Sequence, residues 1–259
     1  MERKLIALDI DGTLLNSQKE PLESTMRALQ VLRRAGHLVI IASGRSRLLA
    51  GPVIHELGCT NYILCNGSAA FLDHEQIYKH LLDREALARL LEFAKARQVD
   101  VSLFSLDALG RVSDFDFPRV KDAMDSFNGP IPPFEPDYMA HHEIYQGCVF
   151  YDRAMDAEFE QAFPEFRFVR WHQNSVDVIP NHGSKAQTIL ALAERVGIKP
   201  ENVITFGDGN NDVEMLQLAG TGVAMGNASM HVQQAANLVT DTNDHDGIFK
   251  ALRQLQLVD

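Results

Sequence analysis

Apolar positions in this chain follow two rhythms. Up to residue 80, short unbroken apolar runs alternate with segments of helical spacing. Lys4–Ile10 is a nearly continuous apolar run, and Leu22–Ala35 sets Met26, Leu29 and Leu32 on one face before Gly36, a residue suited to the position past a helix end. His37–Ala42 is a second run, Ser46–Leu57 a helix closed by Gly58, and Tyr62–Cys65 a third run. Short apolar strands without alternation, separated by helices, predict a parallel sheet with helices on its faces.

From about 82 to 180 the rhythm changes. Asp83–Arg97 is an amphipathic helix with Leu87, Leu90, Leu91 and Ala94 on one face. Val99–Leu106 and Arg111–Phe115 are expected to pair through a turn around Gly110. Pro130, Pro132, Pro133 and Pro136 mark irregular chain. Glu143–Tyr151, Phe166–Trp171 and Ser175–Ile179 read as strands, and Arg153–Phe163 as a helix. After Pro180 the first rhythm returns: helices at Lys185–Val196, Val213–Ala219, Ala228–Ala236 and Gly247–Gln256, with strands at Asn202–Phe206, Thr221–Met225 and Leu238–Thr240. The predicted fold is α/β: a Rossmann-like parallel-sheet core from residues 1–81 and 181–259, interrupted by an inserted α+β domain at 82–180.

Composition narrows the function. The chain has 259 residues, 46% hydrophobic and 23% charged, ordinary values for a soluble globular protein. No stretch approaches the roughly 18 apolar residues of a membrane span, and the short run after Met1-Glu2-Arg3-Lys4 is not expected to act as a signal peptide. Three cysteines, Cys59, Cys65 and Cys148, have no spacing that suggests a metal site or disulfide framework; a cytoplasmic protein is expected. The net charge of -11 argues against nucleic-acid or anionic-membrane partners, and no obligate protein partner is evident.

The candidate chemistry begins where the first strand ends, at Asp9-Ile10-Asp11-Gly12-Thr13. If that run is a strand, Asp9 and Asp11 point to the same face. Two carboxylates that close disfavour each other's ionisation, although Asp-x-Asp-Gly is also common as a plain strand-to-turn exit. Three segments downstream join it. Ser43-Gly44-Arg45 offers a hydroxyl and backbone amides entering a helix, as an anion nest or a simple helix cap. Gly183-Ser184-Lys185 opens a helix with a lysine where the helix dipole prefers anions. Gly207–Asp212 packs two acids, two amides and two glycines into six residues after a buried strand, an oxygen-rich turn suited to a hard cation such as magnesium. Four carboxylates (Asp9, Asp11, Asp208, Asp212) crowding one pocket need compensation: two unit charges at 4 Å repel by about 4 kcal/mol at an effective dielectric of 20. A divalent cation and Lys185 supply it, which describes a phosphoryl-transfer site.

With these residues the chain resembles the haloacid dehalogenase superfamily over essentially its full length, and more narrowly the Cof-type phosphatases with a large α+β cap. Asp9–Leu15, Ala42–Arg45, Lys185 and Gly207–Asp212 match its four motifs in order; Asn66-Gly67 and Val223–Ala228 are also similar to segments of the subgroup. Ala186 departs from the glycine common after the lysine.

The resemblance implies that Asp9 attacks phosphorus and that Asp11 acts as general acid, then base. It implies magnesium held by Asp9, Asp11 and Asp208, and phosphoryl oxygens held by Ile10, Ser43, Gly44, Lys185 and Asn211. Thr13 and Asp212 take supporting roles, Thr13 by steadying the Asp11 loop. The substrate is expected to be a small phosphorylated metabolite such as a sugar phosphate, pyridoxal phosphate or flavin mononucleotide. Arg111, His141, His142, Trp171 and His172 are the candidates for selecting it from the inserted domain. A sugar phosphomutase would use the same motifs; a phospho-acceptor module or an inactive binding protein is a more distant alternative.

Overall fold

The computed structural model describes Glu2–Asp259. In chain order, the first part holds β1 (Leu5–Leu8), α1 (Glu23–Arg34), β2 (Leu38–Ala42), α2 (Arg47–Glu56), β3 (Tyr62–Leu64), β4 (Ala69–Leu72) and β5 (Glu75–Lys79). Then come α3 (Arg84–Ala96), β6 (Asp100–Phe104), β7 (Leu109–Arg111), α4 (Phe117–Asp125), α5 (Tyr138–His141), β8 (Gln146–Phe150), α6 (Asp156–Ala162), β9 (Phe166–His172) and β10 (Ser175–Pro180). The last part holds α7 (Lys185–Arg195), β11 (Val203–Gly207), α8 (Val213–Leu218), β12 (Thr221–Ala224), α9 (Met230–Ala235), β13 (Leu238–Val239) and α10 (Gly247–Gln254).

These elements form two compact units: residues to Gly44, Ala50–Tyr78 and Ser184–Asp259 in one, Arg45–Leu49 and Lys79–Gly183 in the other. The first is built on a sheet of order β13-β12-β11-β1-β2-β3-β4-β5. From β13 to β3 the strands are parallel; β4 turns back antiparallel on β3. β1 lies at the centre, and its four residues are wholly buried, as expected for a parallel strand covered on both faces. Leu5, Ala7, Ile40 and Ile63 pack beneath Ile189 and Leu192 of α7.

The second unit carries an antiparallel sheet of order β7-β6-β8-β10-β9. Leu87 and Leu90 of α3 and Phe159 of α6 pack on Val101, Leu103, Val149 and Val176. Arg45–Leu49 group with this unit for a local reason. The Leu48 amide donates to the Leu106 carbonyl at 2.8 Å, and the Arg47 guanidinium forks onto Asp107 at 2.7 and 2.5 Å.

Four elements lie outside the sequence expectation. β5 is a mostly exposed edge strand of sequence Glu-Gln-Ile-Tyr-Lys, whose apolar signal is weak. β4 is a run of only four residues, Ala-Ala-Phe-Leu. Helices α4 and α5 adjoin the Pro-rich stretch; α4 starts because Asp116 accepts the Arg119 amide at 3.2 Å and Pro118 fits a first helical turn. The hairpin of β6 and β7 also turns earlier than expected. Its turn is Ser105–Ala108, where the Ser105 amide donates to the Ala108 carbonyl. Gly110 sits inside β7 opposite Leu103, and a β-carbon there would lie 2.4 Å from the Tyr138 ring.

Candidate active site

β1 ends at Leu8, so the alternation of a strand does not set the directions of Asp9 and Asp11. The Asp9 amide still donates to Phe206 of β11 at 3.0 Å, and Leu14 and Leu15 donate back to the carbonyls of Asp9 and Ile10. The chain folds into a tight loop around Gly12, at φ 75°, a conformation that favours glycine. Within this loop the two carboxylates part. Asp9 is 5% exposed, whereas the Asp11 side chain is 38% exposed and lies 3.7 Å from Lys19. The expected side-by-side pair is therefore one buried acid and one acid facing solvent. Ile10 keeps its side chain wholly buried, so only its main chain can serve a ligand.

Lys185 opens α7, whose cap is Ser184 accepting the Gln187 amide at 3.1 Å. The lysine is 2% exposed. Its ammonium donates to Asp9 Oδ1 at 2.5 Å and to Asp212 Oδ1 at 2.7 Å. The other Asp212 oxygen accepts the amides of Asp208 and Gly209 at 3.0 and 2.9 Å. Asp212 thus orients the lysine and pins the turn that presents Asp208. Thr13 Oγ1 donates to Asp208 Oδ1 at 2.9 Å, so this hydroxyl ties the loop that carries Asp11 to Asp208. Asn227 donates to the Gly12 carbonyl at 2.9 Å and approaches Asp208 Oδ2 at 3.4 Å. Its own carbonyl oxygen accepts the Asn243 amide at 3.0 Å. The sequence singled out Val223–Ala228 only by resemblance; nothing in its spacing shows that Asn227 reaches the first loop.

Ser43 follows β2, is 2% exposed, and donates its amide to Ile63 at 2.9 Å. Gly44 stands against Asn66, where a β-carbon would lie 3.0 Å from Asn66 Oδ1. Asn211 donates to that same oxygen at 3.1 Å. Asp9, Ser43, Gly44, Lys185, Asp208, Asn211 and Asp212 all belong to the first unit.

Charge is the dominant stress in this cluster. Asp9, Asp208 and Asp212 each offer a carboxylate oxygen within 4.8 Å of the others. Burial, then Asp212, pushes the Asp9 carboxyl well above its ordinary range, against the pull of Lys185. Burial, again reinforced by Asp212, lifts Asp208 to about 7. Burial alone would lower the Lys185 amine, but Asp212 and Asp9 together hold it above the usual lysine range. One ammonium does not balance three carboxylates.

The five residues expected to select a substrate do not form one surface. Arg111 lies on β7 and Trp171 and His172 on β9, the two opposite edges of the second sheet. Arg111 is 6% exposed. Its guanidinium donates to the Ser113 carbonyl at 2.7 Å and to Asp114 at 2.5 Å, flanked by the rings of Phe117 and Phe134. That is a structural clamp. His141 ends α5, and His142 stacks on Tyr138 with ring centres 4.0 Å apart. Trp171 meets Phe127 edge-on; His172 accepts the Asn174 amide at 3.3 Å. Among the described residues no helix is long and apolar enough to cross a membrane.

Comparison with known proteins agrees with this geometry. The profile of the haloacid dehalogenase-like hydrolases matches residues 6–252. YkrA of Bacillus subtilis (strain 168) is 38% identical over 258 residues, covering 100% of each chain. The pyridoxal phosphate phosphatase YbhA of Escherichia coli (strain K12) is 28% identical, covering 96% of this chain and 97% of its own. The solved structure of the subclass IIB sugar phosphatase BT4131 superimposes with a TM-score of 0.88 at 29% identity, covering 98% of this chain and 100% of that one. The chain therefore belongs to the haloacid dehalogenase-like hydrolase family and stands with its phosphatases.

Proposed function

We propose that the protein hydrolyses small-molecule phosphomonoesters with magnesium, through an aspartyl-phosphate on Asp9. The observation that carries this reading is the buried Lys185 ammonium bridging Asp9 and Asp212, with Asp208 beside them.

The donor set fits a hard divalent cation, which takes carboxylate oxygens. Asp212 has both oxygens engaged by Lys185 and two backbone amides, so Asp9 and Asp208 are the side chains that would hold the ion. When bound, the ion neutralises the acids and draws charge from the phosphoryl oxygens.

The chain's own residues supply the rest. Asp9 forms its oxygen–phosphorus bond as the phosphorus–alcohol bond breaks, and Asp11 gives the departing oxygen a proton. Asp11, closer to solvent, then takes a proton from the water that attacks phosphorus and frees Asp9. Ser43, the Gly44 amide, the Ile10 main chain, Asn211 and Lys185 receive the phosphoryl oxygens. Lys185 also aims Asp9 and pulls toward the ionised form that a nucleophile requires, against the burial that favours its proton.

The substrate class follows the relatives: a sugar phosphate, pyridoxal phosphate or a similar metabolite. The test is Asp9→Asn assayed on a generic phosphomonoester with magnesium. Turnover should vanish while the circular dichroism spectrum is unchanged; near-normal turnover would refute Asp9 as nucleophile. A panel of sugar phosphates, pyridoxal phosphate and flavin mononucleotide, with and without magnesium, then ranks substrates.

A further inference from the structure

One turn of the first unit has a backbone that costs energy and a side chain that is fully buried. It follows β3. Cys65 has φ 51° and Asn66 φ 52°, both left-handed, and Gly67 follows at φ 102°. Left-handed backbone at a residue with a β-carbon costs on the order of 1 kcal/mol or more, and such strain persists only where surrounding contacts enforce it. Asn66 is 2% exposed and Cys65 fully buried.

The contacts of this turn reach three separate segments of the site. The Asn66 amide donates to the Ser43 carbonyl at 3.1 Å. Asn66 Oδ1 accepts from Asn211 Nδ2 at 3.1 Å. The Asn66 side-chain amide also stands directly over Gly44. Gly67 lies where a β-carbon would come within 2.4 Å of the Ser184 carbonyl, and its own carbonyl accepts from Thr188 at 2.8 Å. The turn therefore meets the Ser43-Gly44 nest, the Asn211 turn and the start of the Lys185 helix at once.

If this turn were only a connector, glycine would serve at position 66: the conformation suits it and the buried amide would need no partners. The buried amide is retained against that cost. We propose that Asn66 is a positioning residue of the phosphate pocket. It fixes the Asn211 side chain and the Gly44 backbone in the arrangement that receives phosphoryl oxygens. This rests on the phosphatase reading above. A hydrogen bond that aims a donor at a charged ligand is worth about tenfold in affinity.

The experiment compares wild type, Asn66→Gly, Asn211→Ala and the double variant, with inorganic phosphate as a competitive probe and thermal melting as the control. Wild type must turn over a phosphomonoester and be inhibited by phosphate; if it does neither, the phosphatase reading itself fails. Given that, Asn66→Gly should raise the phosphate inhibition constant and KM about tenfold or more, with its melting temperature retained. In the double variant the further loss beyond Asn211→Ala should be smaller than the loss of Asn66→Gly alone, because part of the Asn66 effect acts through Asn211. An inhibition constant unchanged in Asn66→Gly, or losses that simply multiply in the double variant, would overturn the inference. A variant that binds weakly only because it melts early would also count against it. Asn66→Asp then serves as a second variant: it keeps the acceptor for Asn211 but sets a negative charge at the nest, and should bind phosphate more weakly than Asn66→Gly. Equal or tighter binding would place Asn66 away from the phosphate.

Discussion

Gly12 occupies the space in front of the Asp208 carboxylate, where a β-carbon would lie 2.1 Å from Oδ2. An alanine must displace Asp208 and also adopt a left-handed backbone at φ 75°. Gly12→Ala should therefore lose at least about tenfold in magnesium affinity, the range seen when the support of a metal ligand is removed. Magnesium titration monitored by calorimetry checks this. Stability should fall by about 1 kcal/mol from the backbone change, read from urea unfolding.

Lys185 is the single ammonium between buried Asp9 and Asp212. Replacing it with methionine fills the volume but leaves the two acids without their cation. Lys185→Met should cost about 3–5 kcal/mol of stability in metal-free protein. Asp9→Asn removes one acid from the cluster and should be neutral or stabilising. Combining the two should recover part of the loss, and urea denaturation of the four proteins measures the coupling.

Asp208 ties stability to pH. Its carboxyl stands at about 7 in the folded protein against an ordinary 3.8, so the native state binds the extra proton between these values. Stability then falls as pH rises from about 4 to 7. Asp9 is shifted in the same direction. Magnesium binding should have the opposite sensitivity, because a hard cation takes the ionised carboxylate. Metal-free melting temperature should decline across that window, and the gain on adding magnesium should grow across it. Asp208→Asn should flatten both trends in scanning calorimetry.

Arg111 is buried within the second unit. Its guanidinium is clamped by Asp114, the Ser113 carbonyl and two phenylalanine rings. Arg111→Met should destabilise by about 1–3 kcal/mol, while KM values across a substrate panel keep their order. A reordered panel with unchanged melting would restore Arg111 as a selector.

Legibility followed the length and regularity of each signal. The parallel core was readable because β1, β2 and β11 are unbroken apolar runs and the helices between them carry their own stops. The acids and Lys185 were readable as residue types demanding compensation. Which oxygen each group engages was not, since Thr13 meets Asp208 and Lys185 meets Asp9 across most of the chain. Edges and turns were harder. β5, at the edge of the first unit's sheet, has little apolar pattern, and in the second unit Gly110 looks like a turn residue although it is a packing requirement of Tyr138. Pairing across a sheet is set by contacts that no local window contains, so Arg111 and Trp171 gave no sign of lying on opposite edges.

The central position of β1 bears on how the chain is made. It leaves the ribosome long before β11, one of its two neighbours, where Leu5 pairs with Val203. At 5–20 residues per second, nearly two hundred residues of synthesis take roughly 10–40 s. Through that interval β1 has β2 on one side and an open, fully apolar edge on the other, the kind of surface that recruits foreign strands. Asp208 and Asp212 arrive only after β11 closes that edge, so the nascent protein is most exposed to misassembly while it is still catalytically silent.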